Sequence, residues 1–331
     1  MRKILCLCLV IALCLCLCSC KSSDYKKAVA QYEAGEYAQA IAAFEALGDY
    51  KDSIQKIDEC KYGAAVALME AGSYEEAIAA FEAMGEYKDC VQKIKDCQTA
   101  ILDIRYDEAV AMMDDTDVVA AYEALAALCG HKDSNKKAAS LYDEYFAAKS
   151  KSLRDGDIFY FGNYEQDNNK ANGKEPIGWI VINDKSSYLL ISQYGLDCYP
   201  FNRRDNWVWE CSDILEWLNT SFLDSAFTEH EQSRLGSWYD GLGDFRHYEV
   251  SLLSAEEVEN LLSDQEAIGE STAYVRAQNG TVEGSAWWWT RTDRNYISKG
   301  YAESVLQGNL TRAKMNADMI AVRPVIKFYS E

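Results

Sequence analysis

Two loops carry the residue types with which a folded domain grips a ligand. They are Arg203, Arg204, Trp207 and Trp209 in the first, and Asp293, Arg294, Asn295 and Tyr296 in the second. Guanidinium groups make charge-assisted hydrogen bonds to oxyanions, and aromatic rings cover the apolar face of a sugar or a peptide side chain. A polar and aromatic binding face is therefore expected from these loops. The run Ala286-Trp287-Trp288-Trp289-Thr290-Arg291-Thr292, with the closing Val322-Arg323-Pro324-Val325, is expected to support it. Three adjacent tryptophans bring more apolar area than a loop leaves in water. Strand alternation would send Trp287 and Trp289 to one face and Trp288 to the other. At least one face is then core, with Arg291 and Arg323 held by internal carboxylates or carbonyls.

Catalytic chemistry finds little support. There is no Gly-x-Ser-x-Gly elbow, no phosphate-binding loop and no HExxH. Three histidines and the absence of any CxxC make a zinc site improbable. Asp293 with Glu303, or Asp205 with Glu210, would suit glycoside hydrolysis, but among 53 acidic residues such pairs arise easily. No catalytic residue, metal ligand or cofactor is assigned. The formal net charge of −20 argues against a nucleic-acid partner, which requires clustered Lys and Arg.

The elements that would position the loops begin after a removable start. Arg2 and Lys3 precede an apolar run, Ile4 to Leu17, too short to span a membrane as a mature helix. The closing Leu17-Cys18-Ser19-Cys20 resembles a bacterial lipoprotein processing box. That resemblance implies a signal peptide over 1–19, lipid on the sulfur of Cys20, a short linker over 20–24, and export to the outer face of the cell membrane. Two or more acyl chains would hold such a protein on a bilayer. Of the remaining cysteines, Cys60 and Cys97 are expected to pack as small hydrophobes, and Cys198 with Cys211 is the pair to test for a disulfide.

From Tyr25 the chain repeats itself. Gly35 and Gly72, Tyr37 and Tyr74, Phe44 and Phe81, Asp52 and Asp89, and Cys60 and Cys97 all lie one constant period apart. Tyr37, Ala40, Ile41, Phe44 and Leu47 fall on one helix face. Asp52 and Asp89, each three residues before a glutamine, are expected to cap the next helix. A degenerate third unit follows around Ala120–Leu125 and Lys132-Asp133-Ser134. The stretch 25–149 resembles the tetratricopeptide class of helix-turn-helix repeats, which implies a helical stalk or a peptide-binding groove.

At Asp155-Gly156-Asp157 the composition shifts to Gly, Asn, Trp and Tyr. Short aromatic or β-branched runs read as strands at 158–161, 179–182, 188–192, 287–290 and 320–328, with capped helices inserted between. Asp213 with Glu216, Thr228 with Glu231 and Ser254 with Glu257 have capping-box spacing, and Ile214, Leu215, Trp217 and Leu218 supply an apolar helix face. Residues 153–331 resemble a family of uncharacterised bacterial C-terminal domains. The resemblance rests on Phe161-Gly162-Asn163-Tyr164-Glu165-Gln166, Glu175-Pro176-Ile177-Gly178-Trp179, Trp288-Trp289-Thr290-Arg291 and Val322-Arg323-Pro324-Val325. That family is similar to the C-type-lectin-like fold of formylglycine-generating enzymes and surface ligand-binding domains.

Together these readings imply an α+β multidomain chain, with all-α tetratricopeptide-like repeats followed by a mixed α+β C-type-lectin-like domain. It would be lipid-anchored and present a non-catalytic domain to an extracellular or envelope protein or glycan. The alternatives are a repeat-mediated protein scaffold and an enzyme of the formylglycine-generating kind. Glu175-Pro176 followed by Ile177 departs from the loop that calcium-dependent lectins use, and neither Cys198 nor Cys211 sits in a copper-binding motif.

Overall fold

The computed structural model describes residues 21–114, 117–184, 187–204, 208–239, 247–282, 285–291 and 300–329. The chain is α+β: helices fill its first part and antiparallel and mixed sheets its last. It divides into two compact units, one ending at Ile104 and the other beginning at Arg105. Among the described residues no helix is long and apolar enough to cross a membrane.

The helices alternate long and short. Residues 21–33 form α1, followed by α2 (Tyr37–Leu47), α3 (Ser53–Glu70), α4 (Tyr74–Glu82), α5 (Cys90–Met112), α6 (Val118–Ala126) and α7 (Ser134–Lys149). In the first unit Ala28, Ala40, Phe44, Leu47 and Cys60 form one core cluster, and Ala65, Ala77, Phe81, Cys90 and Cys97 the next. Cys60 and Cys97 are thus fully buried small hydrophobes, as their matching places implied.

The turn entering each long helix departs from expectation. Asp52 makes no side-chain cap; its carboxylate accepts the hydroxyl of Tyr25 instead. Asp89 accepts from Tyr62 and Asp133 from Tyr106, each across the same separation of 27 residues. Lys51, Lys88 and Lys132 adopt positive φ and lay their ammonium groups over those same rings, at 4.3, 4.4 and 4.6 Å. A phenol in reach of the carboxylate replaces the helix's own amide as partner, so the predicted capping boxes do not form. The third repeat follows the second at a longer spacing because α5 carries about two additional turns ahead of Tyr106, which keeps that tyrosine on the same face as Tyr62 in α3.

The second unit joins the hairpin of α6 and α7 to the sheets. β1 (Ile158–Tyr164), β2 (Glu175–Asp184) and β3 (Ser187–Ser192) run as an antiparallel meander. Short strands follow: β4 (Tyr194–Gly195), β5 (Asp197–Cys198), β6 (Leu235–Gly236), β7 (Trp238–Tyr239), β8 (His247–Tyr248), β9 (Val250–Ser251), β10 (Glu270–Ser271) and β11 (Thr281–Val282). The chain closes with β12 (Ser285–Trp289), β13 (Tyr301–Leu306), β14 (Asn309–Lys314), β15 (Ala321–Val322) and β16 (Val325–Phe328). One sheet has the order β1-β2-β3-β16-β6 and a second β14-β13-β12-β10-β4. The β13–β14 hairpin turns on Gln307 and Gly308, both at positive φ, and was not foreseen in the sequence.

α7 packs within this unit rather than outside it. The ring of Tyr145 stacks on Tyr122 at 4.0 Å, and its hydroxyl accepts the backbone N–H of Tyr160 in β1 at 2.9 Å. Phe146 meets Phe159, Phe161 and Phe328. The composition change at Asp155 therefore falls inside a continuous packed body.

Between the sheets lie α8 (Asp213–Trp217), a π-helical turn (Leu218–Phe222), α9 (Leu223–Ala226), α10 (Glu229–Gln232), α11 (Ala255–Leu261), α12 (Asp264–Ile268) and α13 (Ala273–Ala277). Thr228 with Glu231 and Ser254 with Glu257 form the expected capping boxes, and Ser263 with Glu266 adds a third. At α8 the cap is Ser212, not Asp213, because its Oγ reaches the N–H of Leu215.

Candidate functional site

The tryptophan run builds the floor beneath the first loop. β12 pairs with β13 and β15, and both of its faces are covered: Trp288 and Trp289 are fully buried while Trp287 is half-buried. Each indole N–H donates, from Trp287 to the Ser304 hydroxyl, from Trp288 to the Ala267 carbonyl and from Trp289 to the Tyr199 carbonyl at 2.8 Å.

Arg323 lies completely buried over the Trp288 ring, 4.9 Å from its centroid. Its guanidinium donates to the carbonyls of Ser192 and Glu266, at 3.0 and 2.7 Å. Burial pulls its pKa down to about 10. Gly269, at φ +62, leaves the space that this side chain fills. Arg291 pairs with Glu257 at 3.0 Å. Arg323 thus serves the interior, as anticipated, whereas Arg291 meets its carboxylate in a half-buried pair.

Pinned by Trp289, the segment from Tyr199 runs to the surface. Asn202 is buried; its backbone N–H donates to the Met315 carbonyl and its Oδ1 accepts from Arg204 N–H at 3.0 Å. Asp213 in the first turn of α8 accepts the N–H of Arg203 at 2.8 Å. These bonds leave both arginine side chains exposed on one wall. The Arg203 guanidinium then lies over the Tyr199 ring at 4.7 Å and donates to its hydroxyl at 2.9 Å, which holds its pKa above the ordinary value. Trp217 also stacks on the Tyr199 ring, at 4.8 Å with 14° between planes.

These contacts border a cleft of about 410 Å³ lined by Tyr199, Arg203, Arg204, Asp213, Glu216, Trp217, Thr220 and Ser221. A second cleft of about 730 Å³ lies on the other flank of α8, between Glu210, Leu215, Asn219 and His247. Asn219 fixes that flank by accepting the N–H groups of Glu249 and Val250. The oriented guanidinium of Arg203 and the exposed side chain of Arg204, beside carboxylates, hydroxyls and rings, suit a polar ligand with acidic or hydroxyl groups.

Of the residues singled out by sequence, Arg203 and Arg204 thus meet in one cleft. Trp209 does not join them: it is only 4% exposed and packs beside Phe201 at 6.1 Å, a core position. Trp207, Asp293, Arg294, Asn295, Tyr296 and the lipidation residue Cys20 lie outside the described residues, as does Asp205. Trp217, expected on an apolar helix face, is half-buried and lines the cleft instead. Neither it nor Tyr199 carried a sequence signal, because their contact joins α8 to a stretch 18 residues away.

Cys198 and Cys211 are both free thiols. Cys198 sits in β5 opposite Ala321, whereas Cys211 is exposed at the end of a short 3-10 turn, Trp209–Cys211. The pair singled out for a disulfide test is therefore not bridged in this structure.

One oxygen-rich cluster was also missed. Glu165, Asp167 and Glu175 each offer an oxygen within 4.8 Å of the others, and Glu165 and Glu175 are buried. Glu175, fully buried at the start of β2, accepts from Gln166 N–H at 2.6 Å and from the Asn135 amide at 2.9 Å. Burial raises its pKa, and these donors oppose the shift.

Residues 185–328 match a domain family described only as a domain of unknown function (DUF6273). The match spans less than half of the chain, and it includes the cleft, the tryptophan run and Arg323. No curated protein and no solved structure matches the chain.

Proposed function

We propose that the chain is an exported envelope lipoprotein, anchored through Cys20, whose tetratricopeptide-like repeats present a C-type-lectin-like domain. That domain binds a protein or glycan without catalysis. The observation that carries the reading is the cleft of Arg203, Arg204, Tyr199 and Trp217, whose arginine heads are exposed while their backbone is pinned from below. A preoriented guanidinium loses little freedom on binding, which favours recognition of an acidic or hydroxyl-bearing group. The anchor reading rests on the processing box, and it predicts that Cys20→Ser moves the protein from the detergent phase to the aqueous phase and lowers its mass by the lipid. For the cleft, titration with fractionated envelope glycans and peptides should quench tryptophan fluorescence, with affinity at least tenfold weaker in Arg203→Ala; equal affinity contradicts the assignment.

One observation favours the scaffold reading instead. Ile54 and Val91 occupy matching places in successive repeats and are 63% and 52% exposed. Two large aliphatic side chains in register on a repeat surface suit a partner protein.

A further inference from the structure

In the arginine-bearing cleft beside α8, the atoms that internal bonds leave unspent describe what could bind there. Thr220 donates its hydroxyl to the Glu216 carbonyl at 2.8 Å, and Arg203 spends one guanidinium N–H on the Tyr199 hydroxyl at 2.9 Å. The Arg204 guanidinium, the Glu216 carboxylate and the Ser221 hydroxyl make no hydrogen bond or ion pair among the described residues, and all three residues are exposed. Two guanidinium groups thus offer charged donors, Glu216 offers an acceptor, and Thr220 and Ser221 offer hydroxyl lone pairs. A ligand that satisfies all of them carries an anionic group together with several O–H or N–H donors.

Charge narrows the anion. Arg203 and Arg204 share the lining with two carboxylates, Asp213 and Glu216, in a chain of formal net charge −20. A polyanion such as a sulfated glycan or a nucleic acid is repelled by those surroundings, whereas a single carboxylate matched to a guanidinium fork is not.

The walls narrow the rest. No lining residue belongs to a strand, so a peptide main chain finds no edge to pair with, and none is aliphatic, so apolar side chains find no pocket. The cleft on the other flank of α8, with Leu215 and Tyr248, suits such side chains better. What this wall does hold is the half-buried ring of Trp217. A sugar ring covers such a face while its hydroxyls reach acceptors around it. Given that this cleft is the binding site, we infer that its ligand is a carboxylated sugar of the uronic-acid kind, the carboxylate held by Arg203 and Arg204, the hydroxyls by Glu216 and Ser221, and the ring laid on Trp217.

The test is titration of the full chain with digalacturonate, its dimethyl ester and the acidic dipeptide glutamyl-glutamate, followed by tryptophan fluorescence and calorimetry. The di-acid should bind at least tenfold more tightly than the ester, which keeps every hydroxyl but no charge, and its affinity should fall as salt is added. Arg204→Gln, which breaks no internal side-chain bond, should weaken the di-acid at least tenfold. Equal affinity for acid and ester, or unchanged affinity in Arg204→Gln, overturns the inference. Preference for glutamyl-glutamate over digalacturonate also overturns it, while leaving the cleft a binding site for peptides. Binding of none of the three overturns the carboxylated sugar as well, and the Arg203→Ala titration with envelope fractions then decides the cleft separately.

Discussion

The helical hairpins and the sheets use aromatic residues in opposite ways. In each hairpin a tyrosine bonds an aspartate 27 residues along, under a lysine from the same turn, and the arrangement recurs three times. In the sheet-bearing unit the polar ends of the rings reach across the chain, Trp289 to Tyr199, Trp288 to Ala267 and Tyr142 to Glu231, and Arg323 over the Trp288 ring reaches Ser192. A repeat array sums similar local terms, whereas a body knit by distant contacts stands or falls together. Damage should therefore stay local in the first region and spread in the second.

Arg323→Met tests the spreading case and should have the largest effect. The carbonyls of Ser192 and Glu266 would lose their donor, at about 1–3 kcal/mol for each buried group. A loss of about 3 kcal/mol or more in urea unfolding, felt throughout the second unit, is expected. Phe81→Ala should cost about 3 kcal/mol by leaving a cavity, but hydrogen exchange should show lost protection confined to the helices around it. If Phe81→Ala opened every amide equally, the contrast between the two regions would fail.

A smaller effect is expected from Tyr62→Phe, with Tyr25→Phe matching it. The phenol holds the Asp89 carboxyl below its usual range, and the carboxylate in turn pushes the Tyr62 phenol up to about 12. A depressed carboxyl contributes stability above its unfolded pKa and loses it as the pH falls through the folded value. A raised phenol contributes below its unfolded pKa of 10.0 and loses that as the pH climbs through about 12. The gap between wild type and Tyr62→Phe in denaturant midpoint should thus be widest near neutral pH and close at both extremes. A gap independent of pH would mean that only packing had changed.

The smallest effect is chemical. Burial pushes the Cys198 thiol up to about 12, while Cys211 is exposed. Iodoacetamide in the absence of reductant should label Cys211 quickly and Cys198 only on unfolding. Failure to label either without reductant would restore the disulfide.

The same contrast explains what could be read in advance. The repeat period, the helix faces and the burial of Cys60 and Cys97 follow from spacing within one segment, which a sequence displays directly. The tyrosine–aspartate bond was hidden because Asp52 also fits a helix cap, and only the placement of α1 chooses between them. In the sheets, aromatic and β-branched runs located β1, β2, β3 and β12, and the burial of Arg323 followed from an arginine set in an apolar stretch. The cleft was half legible. Arg203 and Arg204 announced themselves by charge, but Trp209 and Trp217 exchanged their expected places because a short turn's orientation depends on what it packs against.

The most direct measurement is crosslinked capture from envelope extracts by the full chain, compared with two variants. A cut at residue 150 would sever Tyr145 from β1, so point changes are preferable to fragments. If the cleft is the binding site, Arg203→Ala with Arg204→Ala loses the captured protein or glycan while Ile54→Asp with Val91→Asp retains it. Loss in the second variant with retention in the first would contradict the account and make the repeats the binding surface.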